Sequence, residues 1–373
     1  MKTKVRYNSP IFGNMMPALI DRFRNARRVL YMSHLALGDY LYQRTFLQQL
    51  KEAFPHIVLD VWFDDFRRVG KSWQQGRNDI MSEWLKTEPF IDAFYPLVSC
   101  RQERLAQFRQ AKEKQYDIVL FIGTARSYRF AYYARRIGGE NAYCAGVVED
   151  AAWSPVRHWF FRHLDLCIQD TAKTRKTYVL QYYGDLFRQL TGIHPVTELS
   201  PLKIPETSAK KVAVQLKEWH ARFNTRMALM VNAVSTTPKR DYPWKKMADV
   251  LERLYRQKPG CLFIVNTPPH LVDEVEAQVN QLHAGKGIPC VCFTSQTGVD
   301  ELSALVDKVD GVLSVETAII HFAAAVGTPL VALMRQKTSN WCPPSAQKAL
   351  FSPTYVDEIS VSDVTNACLQ YLL

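Results

Sequence analysis

The chain has 373 residues, of which 47% are hydrophobic and 12% aromatic, so it has enough apolar material for two folded domains of roughly 100–200 residues. It contains no run of about 18 uncharged apolar residues and no signal-peptide core near its N-terminus, so we expect a cytoplasmic protein that spans no membrane. The net charge of +11 favours an anionic partner: a nucleic acid, a membrane surface or a phosphorylated substrate.

The spacing of the eight cysteines favours structural thiols over a metal site. The one close pair, Cys290 and Cys292, has a single intervening residue, whereas zinc loops usually have at least two. We therefore predict reduced, mostly buried cysteines and no bound metal.

Residues 14–30, which precede the first predicted strand, have a basic amphipathic pattern. Met16, Leu19, Ile20 and Phe23 follow the i, i+3, i+4, i+7 spacing of one helix face, and arginines surround them. This pattern predicts a helix that either lies on an anionic membrane or packs on the protein's own surface.

Short apolar runs then alternate with helix-length amphipathic segments. In the first half we predict strands near residues 29–33, 57–63, 93–98, 117–122 and 142–147, and helices near 40–53, 101–114 and 127–137. In the second half we predict strands near residues 228–233, 261–266, 289–293, 311–315 and 330–333, and helices near 244–257, 271–283, 300–306 and 317–326. This alternation is typical of parallel sheets covered on both faces, so each half is predicted to be a doubly wound α/β domain.

Residues 194–211 contain three prolines and no clear periodicity, and we predict that they link the two domains. The first domain is then residues 1–193, with 1–27 as a basic extension, and the second is residues 212–358. We predict a last helix in residues 359–373. One alternative for this helix is that it packs back toward the first domain.

In parallel sheets, ligands bind at the C-terminal ends of strands, where loops lead into helices. The first predicted strand is followed by Leu37-Gly38-Asp39 and then by a helix. Gly38 lets a ligand approach the backbone closely, and the Asp39 carboxylate lies where the helix begins. Asp39 is therefore either a helix N-cap or a catalytic carboxylate.

Residues 310–334 place a single histidine in an apolar segment after another strand. The helix predicted to begin at Thr317 directs the N–H groups of Thr317, Ala318 and Ile319 toward the strand ends, where they favour an anion. His321, one turn later, either donates to a phosphate at that position or is a core histidine bonded to a carbonyl.

These two segments resemble the lipopolysaccharide heptosyltransferase family, glycosyltransferase family 9. Its members carry an early LGD, a tyrosine-aspartate strand and a late motif of the form SvDTGxxHxAAAlGxPvvaL. This chain has LGD at 37–39, YDIVLFIG at 116–123 and SVETAIIHFAAAVGTPLVAL at 314–333, and the resemblance covers about residues 28–373. It implies the GT-B fold, in which two Rossmann-like doubly wound domains face a central cleft.

The resemblance also implies roles for individual residues. The family's general base, which deprotonates the acceptor hydroxyl, matches Asp39. The histidine near the donor pyrophosphate matches His321, and the neighbouring donor contacts match Thr317 and Ala318. The implied reaction transfers a sugar from a nucleotide-sugar donor, ADP-heptose in this family, with inversion and without a metal or other cofactor.

Three donor positions depart from the family pattern or leave a choice open. The family's donor lysine matches either Lys239 or Arg240, because the loop spacing differs by about one residue. Glu316 and Ala318 replace the family's aspartate and glycine. The longer Glu316 side chain shifts the carboxylate that meets the donor sugar, and a positive φ at Ala318 would cost about 1 kcal/mol. A different sugar, or loss of activity, is therefore an alternative.

The resemblance places the acceptor site in the first domain, beside Gly38. The cations predicted to bind the phosphate and carboxylate groups of the lipid A–Kdo core are Arg67, Arg68, Lys71, Arg77, Arg126 and Arg129. Arginine suits such anions because its planar guanidinium donates two hydrogen bonds at once. The alternative for each of these residues is a solubilising surface position.

Other functions stay open. A nucleic-acid-binding protein would concentrate its cations and carry a recognition motif; this sequence has neither, so we predict no nucleic-acid partner. An epimerase, a transferase that uses a UDP- or GDP-sugar, or a catalytically silent relative would keep the same fold.

We expect a monomer that is peripheral at the cytoplasmic face of the bacterial inner membrane.

Overall fold

The structure, a computed structural model, describes residues 12–34, 36–63, 72–98, 100–123, 126–149, 155–171, 176–296 and 298–373. The chain divides into two compact units, Met1–Ser200 and Pro201–Leu373, and this division falls within the predicted linker. In the described part of the chain, none of the helices combines the length and apolarity needed to cross a bilayer.

The first unit is built on a sheet of six parallel strands. These are β1 (Arg28–Ser33), β2 (Val58–Trp62), β3 (Ala93–Tyr95), β4 (Ile118–Gly123), β5 (Tyr143–Glu149) and β6 (Leu166–Asp170). Their order in the sheet is β3-β2-β1-β4-β5-β6. The central strands β1 and β4 are buried almost throughout because helices cover both faces of the sheet.

The described residues of the first unit form seven α-helices. They are α1 (Phe12–Asn25), α2 (Leu37–Ala53), α3 (Ser72–Thr87), α4 (Arg101–Glu113), α5 (Ser127–Gly138), α6 (Pro155–Phe161) and α7 (Val179–Thr191). Of the two interpretations of the basic N-terminal segment, packing on the protein's own surface is confirmed for α1. Leu19 and Phe23 are buried, and the Phe23 ring stacks on Phe54 with 5.6 Å between ring centroids. These two side chains are therefore not available to a membrane.

The second unit repeats this architecture. Its strands are β7 (Met227–Asn232), β8 (Cys261–Asn266), β9 (Cys290–Phe293), β10 (Gly311–Val315), β11 (Leu330–Arg335) and β12 (Lys348–Ser352), in the parallel order β12-β11-β10-β7-β8-β9. Its helices are α8 (Glu206–Phe223), α9 (Trp244–Gln257), α10 (Val272–Lys286), α11 (Val299–Lys308), α12 (Ala318–Val326) and α13 (Val361–Tyr371). Each unit is thus a doubly wound sheet with the strand order of Rossmann folds, as predicted.

Two boundary predictions differ from the structure. Residues 206–211, predicted as linker, belong to α8, which begins directly after Pro205. Proline is tolerated at a helix start. Only Val212 and Leu216 of α8 are buried, so the apolar periodicity is too weak to predict the helix. The last helix, α13, is part of the second unit, where Val364 and Cys368 join its core.

The cysteines are free thiols, as predicted, although fewer are buried than expected. Cys144, Cys261, Cys290 and Cys368 are buried, and Cys100 is exposed. Burial raises the pKa of the Cys144 thiol to about 12, so this thiol stays protonated at neutral pH.

Candidate active site

The C-terminal edge of the second sheet carries a cluster of polar side chains. Strands β7 and β10 are neighbours where the strand order reverses, which is the position at which open α/β sheets bind ligands. Asn232 Nδ2 at the end of β7 lies 3.3 Å from Ser314 Oγ and 3.2 Å from Thr317 Oγ1. Asn266 Nδ2, at the end of β8, donates to Asn232 Oδ1 at 3.0 Å. These contacts connect three strand ends to the loop before α12.

Helix α12 begins one residue later than predicted, because Thr317 is its N-cap. The Thr317 backbone is extended, and its Oγ1 accepts the Ile319 N–H at 3.4 Å. The Ile319 amide, predicted to be open to an anion, is therefore already bonded. Ala318 is the first helical residue and is not one of the described residues with positive φ, so the strain considered for it does not occur.

His321 lies one turn into α12 and is 5% exposed. Burial lowers the pKa of its imidazole to about 3, because a charged ring would lose its hydration. The ring lies near Trp341, with 5.8 Å between ring centroids. At neutral pH the imidazole is therefore uncharged, and a neutral imidazole has one nitrogen that can donate a hydrogen bond and one that can accept one.

Glu316, directly before the N-cap Thr317, forms an ion pair with an arginine that was not predicted from the sequence. Arg335, the last residue of β11, donates through Nε to Glu316 Oε2 at 3.1 Å and through Nη2 to Oε1 at 2.9 Å. Thr338 Oγ1 donates to Oε2 at 2.7 Å. Burial alone would raise the pKa of Glu316, but these bonds and the positive charges of Arg335 and Arg240 hold it below its ordinary value. The carboxylate is therefore ionised.

The structure distinguishes the two candidate donor contacts after β7. Arg240 Nη1 lies 3.9 Å from Glu316 Oε1, and its other nitrogens donate to Thr236 and Thr237. Lys239 instead places its Nζ over the Tyr355 ring, 5.7 Å from the centroid. Arg240 is thus the residue of the pair that belongs to the Glu316 cluster.

At the C-terminal edge of the first sheet, Asp39 is held by a tyrosine. Helix α2 has Ala36 as its N-cap, so the interpretation of Asp39 as a cap is wrong. The Tyr183 hydroxyl, from α7, donates to Asp39 Oδ1 at 2.7 Å. Burial and the negative charge of Asp39 both raise the pKa of Tyr183 well above its ordinary value, so the tyrosine acts only as a donor to the carboxylate. Asp39 is partly exposed in the first turn of α2, next to Gly38.

The predicted acceptor cations fall into two groups. Arg67, Arg68 and Lys71 lie outside the described residues, and so does the side chain of Arg77. Arg126 is the N-cap of α5 and has a left-handed backbone, with φ 56°, which costs about 1–3 kcal/mol for a residue other than glycine. Arg129, in the first turn of the same helix, donates through Nε to the Tyr128 hydroxyl at 3.2 Å.

Tyr183, Arg335 and Thr338, like Asn232 and Ser314 of the polar cluster, are site residues that were not predicted from the sequence. The sequence does contain a signal for Arg335, which ends the continuous apolar run of β11. A charged residue that is buried at such a position almost always has a charged partner, so a partner for Arg335 could have been predicted. No comparable signal marks Tyr183, which is one of several aromatic residues in its helix. Throughout the described ranges, no three His, Cys, Asp or Glu side chains are grouped in a way that could hold a metal ion.

Two doubly wound sheets, with polar side chains gathered at their strand ends, define an α/β protein with two Rossmann-like units. The sequence profile of "Glycosyltransferase family 9 (heptosyltransferase)" matches residues 104–356, which is more than half of the chain. The chain therefore belongs to glycosyltransferase family 9. No curated protein sequence matches it significantly.

Solved structures agree with this fold. A family 9 glycosyltransferase from Veillonella parvula matches with a TM-score of 0.70 and 16% identity, covering 92% of this chain and 96% of that one. E. coli ADP-heptose LPS heptosyltransferase II matches with a TM-score of 0.66 and 15% identity over 92% and 98% of the two chains. E. coli heptosyltransferase WaaC with ADP gives 0.62 and 16% over 92% and 97%. The predicted fold class, GT-B with two Rossmann-like domains, is confirmed.

Proposed function

We propose that this glycosyltransferase transfers a heptose from ADP-heptose to the lipid A–Kdo inner core, with inversion and without a metal. The observation that carries the proposal is Asp39, a partly exposed carboxylate at a ligand-binding sheet edge, which Tyr183 orients by a 2.7 Å hydrogen bond. E. coli heptosyltransferase WaaC has been solved with ADP and with ADP-2-deoxy-2-fluoro heptose, which supports an adenine nucleotide sugar as the donor.

In the proposed reaction, the acceptor hydroxyl oxygen attacks the anomeric carbon while the bond from that carbon to the diphosphate breaks. Asp39 accepts the hydroxyl proton, and Tyr183 keeps its carboxylate aimed at the acceptor. A single displacement of this kind inverts the anomeric centre.

Charge on the departing diphosphate is stabilised in the second unit. Arg240 supplies a positive charge, the start of α12 supplies backbone N–H groups and a favourable helix dipole, and neutral His321 supplies one N–H. Each such donor contributes about 2–4 kcal/mol to lowering the barrier. Together, this one cation and these hydrogen-bond donors take the part that a metal ion plays in other sugar transfers. The acceptor is an anionic lipid, so we place the enzyme, as a monomer, at the cytoplasmic face of the inner membrane.

A second candidate is a transferase for another nucleotide sugar. It is favoured by Glu316, which replaces the family's aspartate and whose carboxylate is bonded to Arg335 and Thr338. A carboxylate in this state has less capacity to accept bonds from the hydroxyls of a donor sugar. The sugar contacts of this protein therefore differ from those of relatives with the shorter side chain.

The test combines nucleotide binding with product analysis. Titration calorimetry with ADP, UDP and GDP should give the tightest binding for ADP, and mass spectrometry should detect one added heptose on a de-acylated lipid A–Kdo acceptor. Asp39→Asn should lower the transfer rate by about 10²–10⁴-fold and leave ADP affinity unchanged. Full activity of the Asn variant would eliminate Asp39 as the base, and preference for UDP or GDP would favour the second candidate.

A further inference from the structure

Helix α2 buries a glutamine one turn after Asp39. Gln43 is fully buried, although glutamine is usually a surface residue. Tyr31 in β1, which is also fully buried, donates through its hydroxyl to Gln43 Oε1 at 2.6 Å. The amide nitrogen Nε2 has no hydrogen-bond partner of normal geometry among the described residues. Because buried polar atoms are nearly always bonded in folded proteins, this nitrogen requires an explanation.

The Gln43 amide lies beside the tyrosine that holds Asp39. Asp39 and Gln43 are four residues apart in α2, so their side chains lie on the same face of the helix. Tyr183 donates its hydroxyl proton to Asp39 Oδ1 at 2.7 Å. Burial and the charge of Asp39 raise the pKa of this hydroxyl, whereas the Gln43 side chain acts in the opposite direction. An N–H group directed at the phenol oxygen has this effect, so the amide nitrogen faces Tyr183.

The hydrogen bond from Tyr31 determines which way the amide is turned, because it occupies Oε1 and leaves Nε2 for Tyr183. In the reverse orientation, Oε1 would face the Tyr183 oxygen, whose single proton is already donated to Asp39. Two oxygens would then meet without a proton between them. The donation therefore runs in one direction, from Tyr31 through the glutamine and Tyr183 to Asp39.

The aromatic rings around these polar groups are packed against one another. The Tyr31 ring lies 5.4 Å from that of Phe187, which is one turn after Tyr183 in α7. Tyr42, next to Gln43 in α2, stacks on Tyr183 with 6.5 Å between ring centroids. The rings are thus held in place, and the remaining freedom of Tyr183 is rotation of its hydroxyl proton. An N–H on one side of the oxygen restricts this rotation, because the proton must then point to the other side.

We propose that Gln43 is a positioning residue, whose amide fixes the direction in which Tyr183 donates to Asp39. Tyr31 holds the amide in the orientation that this requires. Asp39 Oδ1 is then occupied, and Oδ2 accepts the proton of the acceptor hydroxyl. Gln43 acts through Tyr183 and not by contact with a substrate, because it is fully buried. The inference rests on the proposed function, in which Asp39 is the base.

The first test separates positioning from a contribution to stability alone. The double variant Tyr31→Phe with Gln43→Met removes both polar partners and nearly keeps their shape, so the midpoint of urea unfolding should be unchanged or higher. The kcat for heptose transfer to the de-acylated lipid A–Kdo saccharide should fall by about 10–100-fold, because the Asp39 carboxylate is no longer held at one angle. KM for ADP-heptose should change by less than about twofold.

Tyr116→Phe is the matched control. It also removes a buried tyrosine hydroxyl of the first unit, one that donates to Asp60 and lies 3.1 Å from the Tyr95 hydroxyl. Loss of this bond should lower the midpoint of urea unfolding and leave kcat unchanged. If Tyr116→Phe lowers kcat as much as the double variant does, a general loosening of the first unit explains the effect and the proposal is overturned.

The second test uses NMR spectra of protein with isotopically labelled glutamine and needs no substrate. The side-chain amide resonances of Gln43 are assigned by their loss in Gln43→Met. They should shift in Tyr183→Phe, which removes the oxygen beside the amide, and in Asp39→Asn, which removes the charge that Tyr183 faces. They should stay in place in Tyr116→Phe.

The outcomes distinguish this inference from the proposed reaction. Wild-type kcat in the double variant overturns the role of Gln43 and leaves the heptose transfer intact. If the wild-type protein transfers no heptose, the proposed reaction is contradicted and the Gln43 resonances decide. A shift in both Tyr183→Phe and Asp39→Asn then supports the positioning of Asp39 through Gln43, and a shift in only one of them, or in neither, overturns it.

Discussion

The two sheets have the same strand order, yet the carboxylates at their C-terminal edges have different surroundings. Asp39, in the first unit, is partly exposed, and Tyr183 is its hydrogen-bond partner among the described residues. Glu316, in the second unit, is 7% exposed and accepts bonds from the Arg335 backbone, from the Arg335 guanidinium and from Thr338. The same strand order thus carries a partly exposed carboxylate in the first unit and, in the second unit, a buried carboxylate that connects two strand ends.

This difference predicts that two charge-removing variants lower stability to very different extents. Glu316→Gln leaves the guanidinium of buried Arg335 without its counter-ion, so the free energy of unfolding should fall by about 3–5 kcal/mol. Asp39→Asn keeps the partly exposed site filled and should cost about 1 kcal/mol or less. Urea unfolding of the full chain measures both values, and equal losses would contradict the comparison.

Two controls sharpen this result. Glu206→Gln alters an exposed ion pair, with Lys210 at 2.7 Å, and should leave the free energy of unfolding nearly unchanged. In the double variant Glu316→Gln with Arg335→Met, both charges are gone, and most of the lost stability should return. If the double variant is as unstable as Glu316→Gln alone, the cost lies in packing at this position and not in an unpaired charge.

The sequence predicted the central strands of both sheets because they are continuous apolar runs. It missed β6 and β12, which are edge strands with exposed positions such as Gln169 and Lys348. It also missed α7, whose interior contains Gly184. A Cβ added at Gly184 would lie 2.9 Å from Pro195, so close packing requires a glycine at this position. Helix propensities do not take such tertiary contacts into account.

The position of the candidate site, at the C-terminal ends of strands, was predictable from the sequence. Asp39 lies six residues beyond the end of β1, and Thr317 and His321 lie two and six residues beyond the end of β10, so the topology alone places them near ligand-binding edges. Their partners were not predictable, because Tyr183 is 144 residues from Asp39 in sequence. Side-chain pairing across such a separation depends on the packing of whole helices, which a local pattern does not specify.

We expect the folding stability of the second unit to be sensitive to acid, because this unit contains the buried His321. The pKa of His321 is about 3 in the folded protein, against roughly 6.5 for an unperturbed histidine. Between these values the unfolded chain binds a proton that the folded chain does not, so stability should fall as the pH is lowered through this window. At pH 5 the expected loss is about 2 kcal/mol relative to pH 7.

The variant His321→Gln removes this titration. Urea unfolding at pH 7 and pH 5 should therefore show a smaller pH dependence for the variant than for the wild-type protein. An equal pH dependence would mean that other groups account for the acid sensitivity and that His321 is more hydrated than its 5% exposure indicates.

The smallest predicted effect concerns the starts of the two helices that carry the site. Helix α2 begins after Ala36 without a side-chain cap, whereas α12 begins after Thr317, whose Oγ1 accepts the Ile319 N–H. Thr317→Ala should cost about 1 kcal/mol of stability and weaken ADP binding by a few fold, because the first turn of α12 loses its fixed geometry. Thr317→Ser keeps the hydroxyl and should retain most of both quantities in unfolding and calorimetric measurements. If Thr317→Ser loses as much stability and ADP affinity as Thr317→Ala, the threonine acts through packing of its methyl group. The hydrogen bond at the start of α12 would then not distinguish this helix start from that of α2.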